Sequence, residues 1–116
     1  MEYIKMNTPQ IYNLPKDTLF TVVASPVEVH GPHLPVGTDI LVTRYLQRHF
    51  YKIRKQTPLV KLPELPIGSE LQLVKGSISV SSKALRSVLI SYAMSLKSMG
   101  FKYVLIFDNH GGHDTR

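Results

Sequence analysis

The sequence contains no cysteine, which excludes a disulfide framework and a thiolate metal site and leaves any metal to histidine and carboxylate side chains. It also lacks any apolar stretch near the roughly 20 residues that a membrane-spanning helix requires. The opening segment MEYIKMNTPQ has no apolar centre of the kind a secretory signal carries. A soluble, cytoplasmic protein with no membrane partner is therefore expected. Internal repeats and low-complexity tracts are missing too. Acidic residues are fewer than basic ones, 8 against 14, for a net charge of +6. The basic residues are dispersed, however, and the small cluster of Lys52, Arg54 and Lys55 follows a helical pattern, so it reads as a solvated face. No nucleic-acid partner is expected.

What is present is enough for one domain. With 116 residues, 43% hydrophobic and 19% charged, the chain can bury a single core. The β-branched run LFTVVA at residues 19–24 has the length and composition of a buried strand. Behind Thr38 or Asp39 as a cap, Ile40, Leu41, Tyr45, Leu46, His49, Phe50 and Ile53 recur at helical spacing, which predicts a helix over residues 39–55. Residues 57–66, with three prolines, read as irregular or extended chain. Residues 77–80, SISV, alternate as a short strand would. Ser81 then caps a second helix whose apolar face is Leu85, Val88, Leu89, Tyr92, Leu96 and Met99, with Gly100 as a left-handed end. Residues 101–107 follow as a strand. Strands alternating with helices predict an α/β layered fold with a mainly parallel sheet.

The segment EVHGPHLPVGTD at residues 28–39 and the loop His110-Gly111-Gly112-His113 carry the chemistry. A carboxylate at Glu28, an imidazole at His30, a second carboxylate at Asp39 and the loop histidine His110 supply the mixed oxygen and nitrogen donors that zinc, manganese or iron(II) favour. Both groups fall just after predicted strands, where ligands collect in open parallel sheets. Pro32 and Pro35 stiffen the intervening loop. Asp39 taken alone reads as a helix cap, but this setting makes it a ligand. His33 is expected to support the site by hydrogen bonding rather than to ligate. His113 is read either as a further ligand or as an exposed residue near a frayed end. His49 is structural, and Glu70 is a surface glutamate. Gly111 and Gly112 let the backbone pass close to the metals. No proton donor for catalysis stands out, so the catalytic residues are left unassigned.

With these residues in view, the chain resembles the creatininase (creatinine amidohydrolase) family. The family's first motif is approximately Glu-Gln-His-Gly-Pro-His-Leu-Pro-x-x-x-Asp. Glu28, His30, Gly31, Pro32, His33, Leu34, Pro35 and Asp39 match it, and Val29 stands where the glutamine would be. The later motif, approximately Asn-Gly-His-Gly-Gly-Asn, is answered by Asp108-Asn109-His110-Gly111-Gly112-His113. The resemblance implies an αβα sandwich and two divalent ions held by Glu28, His30, Asp39 and His110, with Asp39 bridging them. It also implies hydrolysis of a cyclic or linear amide, a small-molecule amide substrate and a homo-oligomer, often a hexamer in the family.

Three departures stand beside the matches. Gly112 occupies the place where some members carry a glutamate ligand. Gly68-Ser69-Glu70-Leu71 lacks the histidine of the family's Ser-x-Glu-His segment ahead of a Gly-Thr pair, here Gly76-Ser77. The family's proton-transfer histidine lies in a carboxyl-terminal half beyond residue 116. The chain is thus expected to be an incomplete, apparently truncated domain, and the terminal Arg116 suits a trypsin-like cut. Metal-assisted amide hydrolysis is the expected function. A metal-binding but catalytically inactive protein of the same fold is the alternative, and a basic nucleic-acid module is a third class.

Overall fold

Strand β1 (Leu19–Val23) is the middle of a three-stranded parallel sheet of order β2-β1-β3, with β2 at Leu59–Lys61 and β3 at Tyr103–Phe107. A computed structural model describes residues 1–54, 58–69, 71 and 74–108 of the chain. Leu19, Phe20 and Thr21 pair with Leu59, Val60 and Lys61, and all five residues of β1 pair with those of β3, from Leu19 with Tyr103 to Val23 with Phe107. The mainly parallel α/β fold is as expected. The short β2 falls inside the proline-rich stretch expected to be irregular or extended.

Successive side chains of a strand point to opposite faces, and β1 uses this to carry two different cores. Phe20 and Val22 join Leu14, Val60, Leu62, Leu96 and Phe101 in an apolar cluster. Phe20 meets Phe101 edge to face at 4.7 Å, a geometry that adds about 0.5–1.5 kcal/mol beyond area burial. This face is covered by Tyr92 and Leu96 of helix α3 (Ser82–Ser98) and by Tyr3, Met6 and Leu14 of the amino-terminal stretch, within which the short helix α1 (Thr8–Tyr12) lies. The other face is covered by helix α2 (Thr38–Ile53), and that contact is largely polar. Gln47 Nε2 donates to Thr21 Oγ1 at 3.0 Å, Thr21 shares a 2.7 Å bond with the Tyr51 hydroxyl, and Ser25 pairs with Thr43 at 2.9 Å. Helix, sheet and helix thus form three layers.

α3 follows its sequence signals closely. Ser81 accepts from the Ala84 N–H. At the other end Gly100 takes φ +90° while its N–H reaches Lys97 O and the Phe101 N–H reaches Leu96 O, the paired bonds of a Schellman ending.

α2 departs from its prediction in two ways. Its amino-terminal cap is Gly37, without a side-chain bond, so neither Thr38 nor Asp39 serves as the cap. Its buried residues are Asp39, Ile40, Thr43 and Gln47, while Leu41, Tyr45, Leu46 and Ile53 are exposed. The face expected to be inward is mostly outward, because the sheet offers hydroxyl groups that the polar side chains satisfy. His49, expected to be structural, is exposed on α2. Residues 77–80 form no strand but one antiparallel bridge, Val27 with Ile78, since Ile78 meets only the short stretch leading to Glu28. No described helix is long and apolar enough to cross a membrane.

Candidate metal centre

The chain leaves β1 at the carboxyl edge of the sheet and is pinned at once. Leu65 N donates to Val23 O, Ala24 N to Phe107 O and Ser25 N to Leu65 O, at 2.8, 3.0 and 3.1 Å. Glu28 N then donates to Val36 O at 2.9 Å, which closes the intervening residues into a loop. Gly31 turns that loop with φ +79°, a conformation that costs glycine little. Thr38 N and Oγ1 both reach Pro35 O, at 3.1 and 2.6 Å, so the loop delivers α2 with Asp39 in its first turn.

The result is a convergence of Glu28, His30 and Asp39, whose donor atoms all lie within 4.8 Å of one another. The Glu28 and Asp39 side chains retain only 11% and 8% of their exposure, and His30 retains 25%. His30 Nδ1 lies 2.8 Å from the Glu28 backbone oxygen. A carbonyl can only accept, so Nδ1 carries the proton and the neutral ring keeps its lone pair on Nε2. That nitrogen faces Asp39 Oδ1 at 3.3 Å and Glu28 Oε1 at 4.0 Å.

The bond to the Glu28 carbonyl holds the imidazole above its ordinary pKa range, helped by the negative charges of Asp39 and Glu28 and opposed by burial. A place that favours a proton on Nε2 between two carboxylates also favours a divalent cation. Two buried oxygen donors and a ring nitrogen in the right tautomer fit such an ion, without cysteine, as the composition requires.

The remaining sequence candidates divide. His33 is exposed, its ring lying beside Gly31, and it makes no hydrogen bond among the described residues, so the expected supporting bond is not seen there. His110, His113, Gly111, Gly112 and Glu70 lie outside the described residues. Phe107 is in register with Val23, so β3 ends at the same sheet edge from which Glu28 departs. The residues that seat α2, Thr21, Ser25, Thr43, Gln47 and Tyr51, were missed from sequence, although polar residues at 43, 47 and 51 recur every four positions along one helix face. Ser77, whose Oγ accepts the Val29 N–H at 2.9 Å, was missed as well.

Fold and site define an α/β layered protein with a carboxylate–imidazole cluster at the carboxyl edge of a parallel sheet. The family profile described as Creatininase: Creatinine amidohydrolase matches residues 5–115, and the chain belongs to this family. A curated relative, the mycofactocin precursor peptide peptidase of Mycobacterium ulcerans (strain Agy99), is 31% identical over 94 residues, covering 74% of this chain and 37% of that protein.

Among solved structures, a provisionally assigned creatinine amidohydrolase from Bacteroides fragilis NCTC 9343 shares 20% identity with TM-score 0.78, covering 98% of this chain and 47% of that one. A glutamate-to-glutamine variant of creatininase complexed with creatine shares 18% identity with TM-score 0.80, covering 97% of this chain and 44% of that one. These likenesses establish the common fold. The chain spans less than half the length of the relatives it matches.

Proposed function

We propose that this chain is the metal-holding portion of a metal-dependent amidohydrolase, in which Glu28, His30, Asp39 and His110 would hold two divalent ions. The observation that carries this reading is the convergence of Glu28, His30 and Asp39 at the sheet edge. His110 enters through the resemblance of its glycine loop and through the place where β3 ends. Solved creatininases include a Zn–Zn form of a variant and a manganese form, which supports zinc or manganese, with iron(II) a further candidate by donor type.

Bound there, a divalent ion supplies Lewis acidity toward water and an amide carbonyl, which an unactivated amide needs. The protein's own part is positional. Glu28 and Asp39 set a doubly negative pocket, and the carbonyl of Glu28 fixes the His30 tautomer. The pinned loop keeps all three donors at their places before any ligand arrives. The substrate class is a cyclic or linear C–N amide. One relative carries creatine and another is named as a peptidase of a precursor peptide, so small-molecule amides and a peptide amide define the panel to assay. A homo-oligomer and a cytoplasmic location belong to the same proposal. The catalytically inactive alternative is not favoured by the family match.

The test is elemental analysis of the purified chain with its intact mass measured on the same sample, followed by hydrolysis of the amide panel. About two ions per chain and turnover of an amide support the reading. No bound ion after supply of zinc and manganese overturns it. Asp39→Ala is expected to weaken metal binding by more than about 100-fold, beyond the loss typical of an outer-shell partner, and unchanged metal content would remove Asp39 from the ligand set.

A further inference from the structure

The stretch holding Glu28 and His30 lies beyond the regular sheet, and a second clamp grips it from the side opposite its own loop. Ile78 N donates to Val27 O at 3.0 Å, and Val29 N donates to Ser77 Oγ at 2.9 Å. An antiparallel ladder continued from the Val27–Ile78 bridge would place Gly76 opposite Val29 and use its carbonyl as the acceptor. The chain instead turns at Gly76 with φ +110°, and the Ser77 hydroxyl takes the acceptor's place. A Cβ built at Gly76 would come within 2.9 Å of Val29 Cγ2, so the turn presses directly on the residue between the two ligands. The clamp is itself anchored, since Val80 N donates to Gly68 O at 3.0 Å and Ser81 caps α3.

The consequence follows from peptide planarity. The Val29 N–H and the Glu28 carbonyl belong to one trans peptide unit, so they point in opposite directions from one rigid plane. Ser77 holds the N–H end of that plane. The carbonyl end accepts the His30 Nδ1 proton at 2.8 Å. We propose that Ser77 is a positioning residue for the metal centre: its hydroxyl orients the Glu28–Val29 peptide, and through the Glu28 carbonyl it fixes the ring orientation and tautomer that leave His30 Nε2 free to ligate. Gly76 makes the approach possible. The inference rests on the metal-centre reading for its functional meaning, while the tautomer itself is a property of the metal-free chain.

The experiment compares Ser77→Thr with Ser77→Val, which match in shape and differ in the hydroxyl, using circular dichroism to verify that each folds. Imidazole 15N shifts are recorded on metal-free protein along a rising pH series until the ring signals stop changing, so that the neutral imidazole is the form compared. The parent and Ser77→Thr are expected to show a single tautomer protonated on Nδ1, and Ser77→Val a mixture. Zinc and cobalt titrations are expected to give affinity about 10-fold to 100-fold weaker for Ser77→Val, in the range for loss of an outer-shell partner, with an altered cobalt absorption spectrum and recovery in Ser77→Thr. An unchanged His30 tautomer in Ser77→Val overturns the inference whether or not metal binds. A parent that binds neither zinc nor cobalt defeats the metal-centre reading, and the 15N shifts then decide the role of Ser77.

Discussion

Strands β1 and β3 are both largely apolar as sequence, LFTVV beside YVLIF, yet within the described residues their surroundings differ. Phe20, Val22 and Val23 of β1 are at most 1% exposed, whereas Tyr103, Val104, Leu105 and Ile106 of β3 range from 37% to 53%. Both strands pair fully with each other, so backbone bonding does not separate them. What separates them is cover. β1 has a paired strand on each side and a helix layer on each face, whereas β3 pairs with β1 alone among the described residues and meets α2 through the Phe50–Phe107 ring contact at 5.5 Å. Hydrophobicity records the environment for which a strand is suited, and its neighbours decide whether it obtains it.

The largest contrast is expected on truncating two side chains that are in register. Phe20→Ala is expected to destabilise the chain by about 3–5 kcal/mol, while Val104→Ala, its partner across the ladder, should cost under about 1 kcal/mol. Urea unfolding of both variants reads the difference, and equal losses would show that β3 is as well covered as β1. A smaller effect tests the polar side of β1. Thr43 Oγ1 donates to Asp39 O at 2.6 Å and pairs with Ser25, so Thr43→Val leaves a buried serine hydroxyl unsatisfied. A loss of about 1–3 kcal/mol is expected, and no loss would mean that water replaces the bond.

The smallest effect is in the alkaline limb of stability. Burial raises the Tyr51 hydroxyl above its ordinary pKa, partly offset by its bond to Thr21. The folded state therefore keeps the proton longer than the unfolded one, and this contribution is present below about pH 10 and fades as pH rises past it. Tyr51→Phe should flatten that limb in thermal melts across pH 9 to about 11, and an unaltered slope would remove Tyr51 as its source.

Local signals were the readable part of the sequence. α3 announced itself with Ser81 at one end and Gly100 at the other, and β1 and β3 with dense β-branched or apolar runs. The convergence of Glu28, His30 and Asp39 was legible because the three residues are compressed into one short segment. The facing of α2 was not legible, since apolar spacing pointed to Leu41, Tyr45 and Leu46 while the polar sheet face selected Thr43 and Gln47. That choice depends on Thr21 and Ser25, which lie 26 and 18 residues away from their partners. Ser77 was hidden for the same reason, as it acts 48 residues from Val29. Local pattern reports what an element offers, and only the assembled layers determine which offer is taken.

The hydrogen bond from Glu28 N to Val36 O divides the first motif into a clamped base and an exposed tip. At the base, Glu28 is held by the closing bond, His30 by its bond to the Glu28 carbonyl, and the start of α2 with Asp39 by the bonds from Thr38 to Pro35 O. Residues 31–34 form an exposed tip whose lengthening adds closure entropy only slowly. Grafts confined to residues 31–34 are therefore expected to change what approaches Glu28, His30 and Asp39 while the convergence of those three side chains is kept.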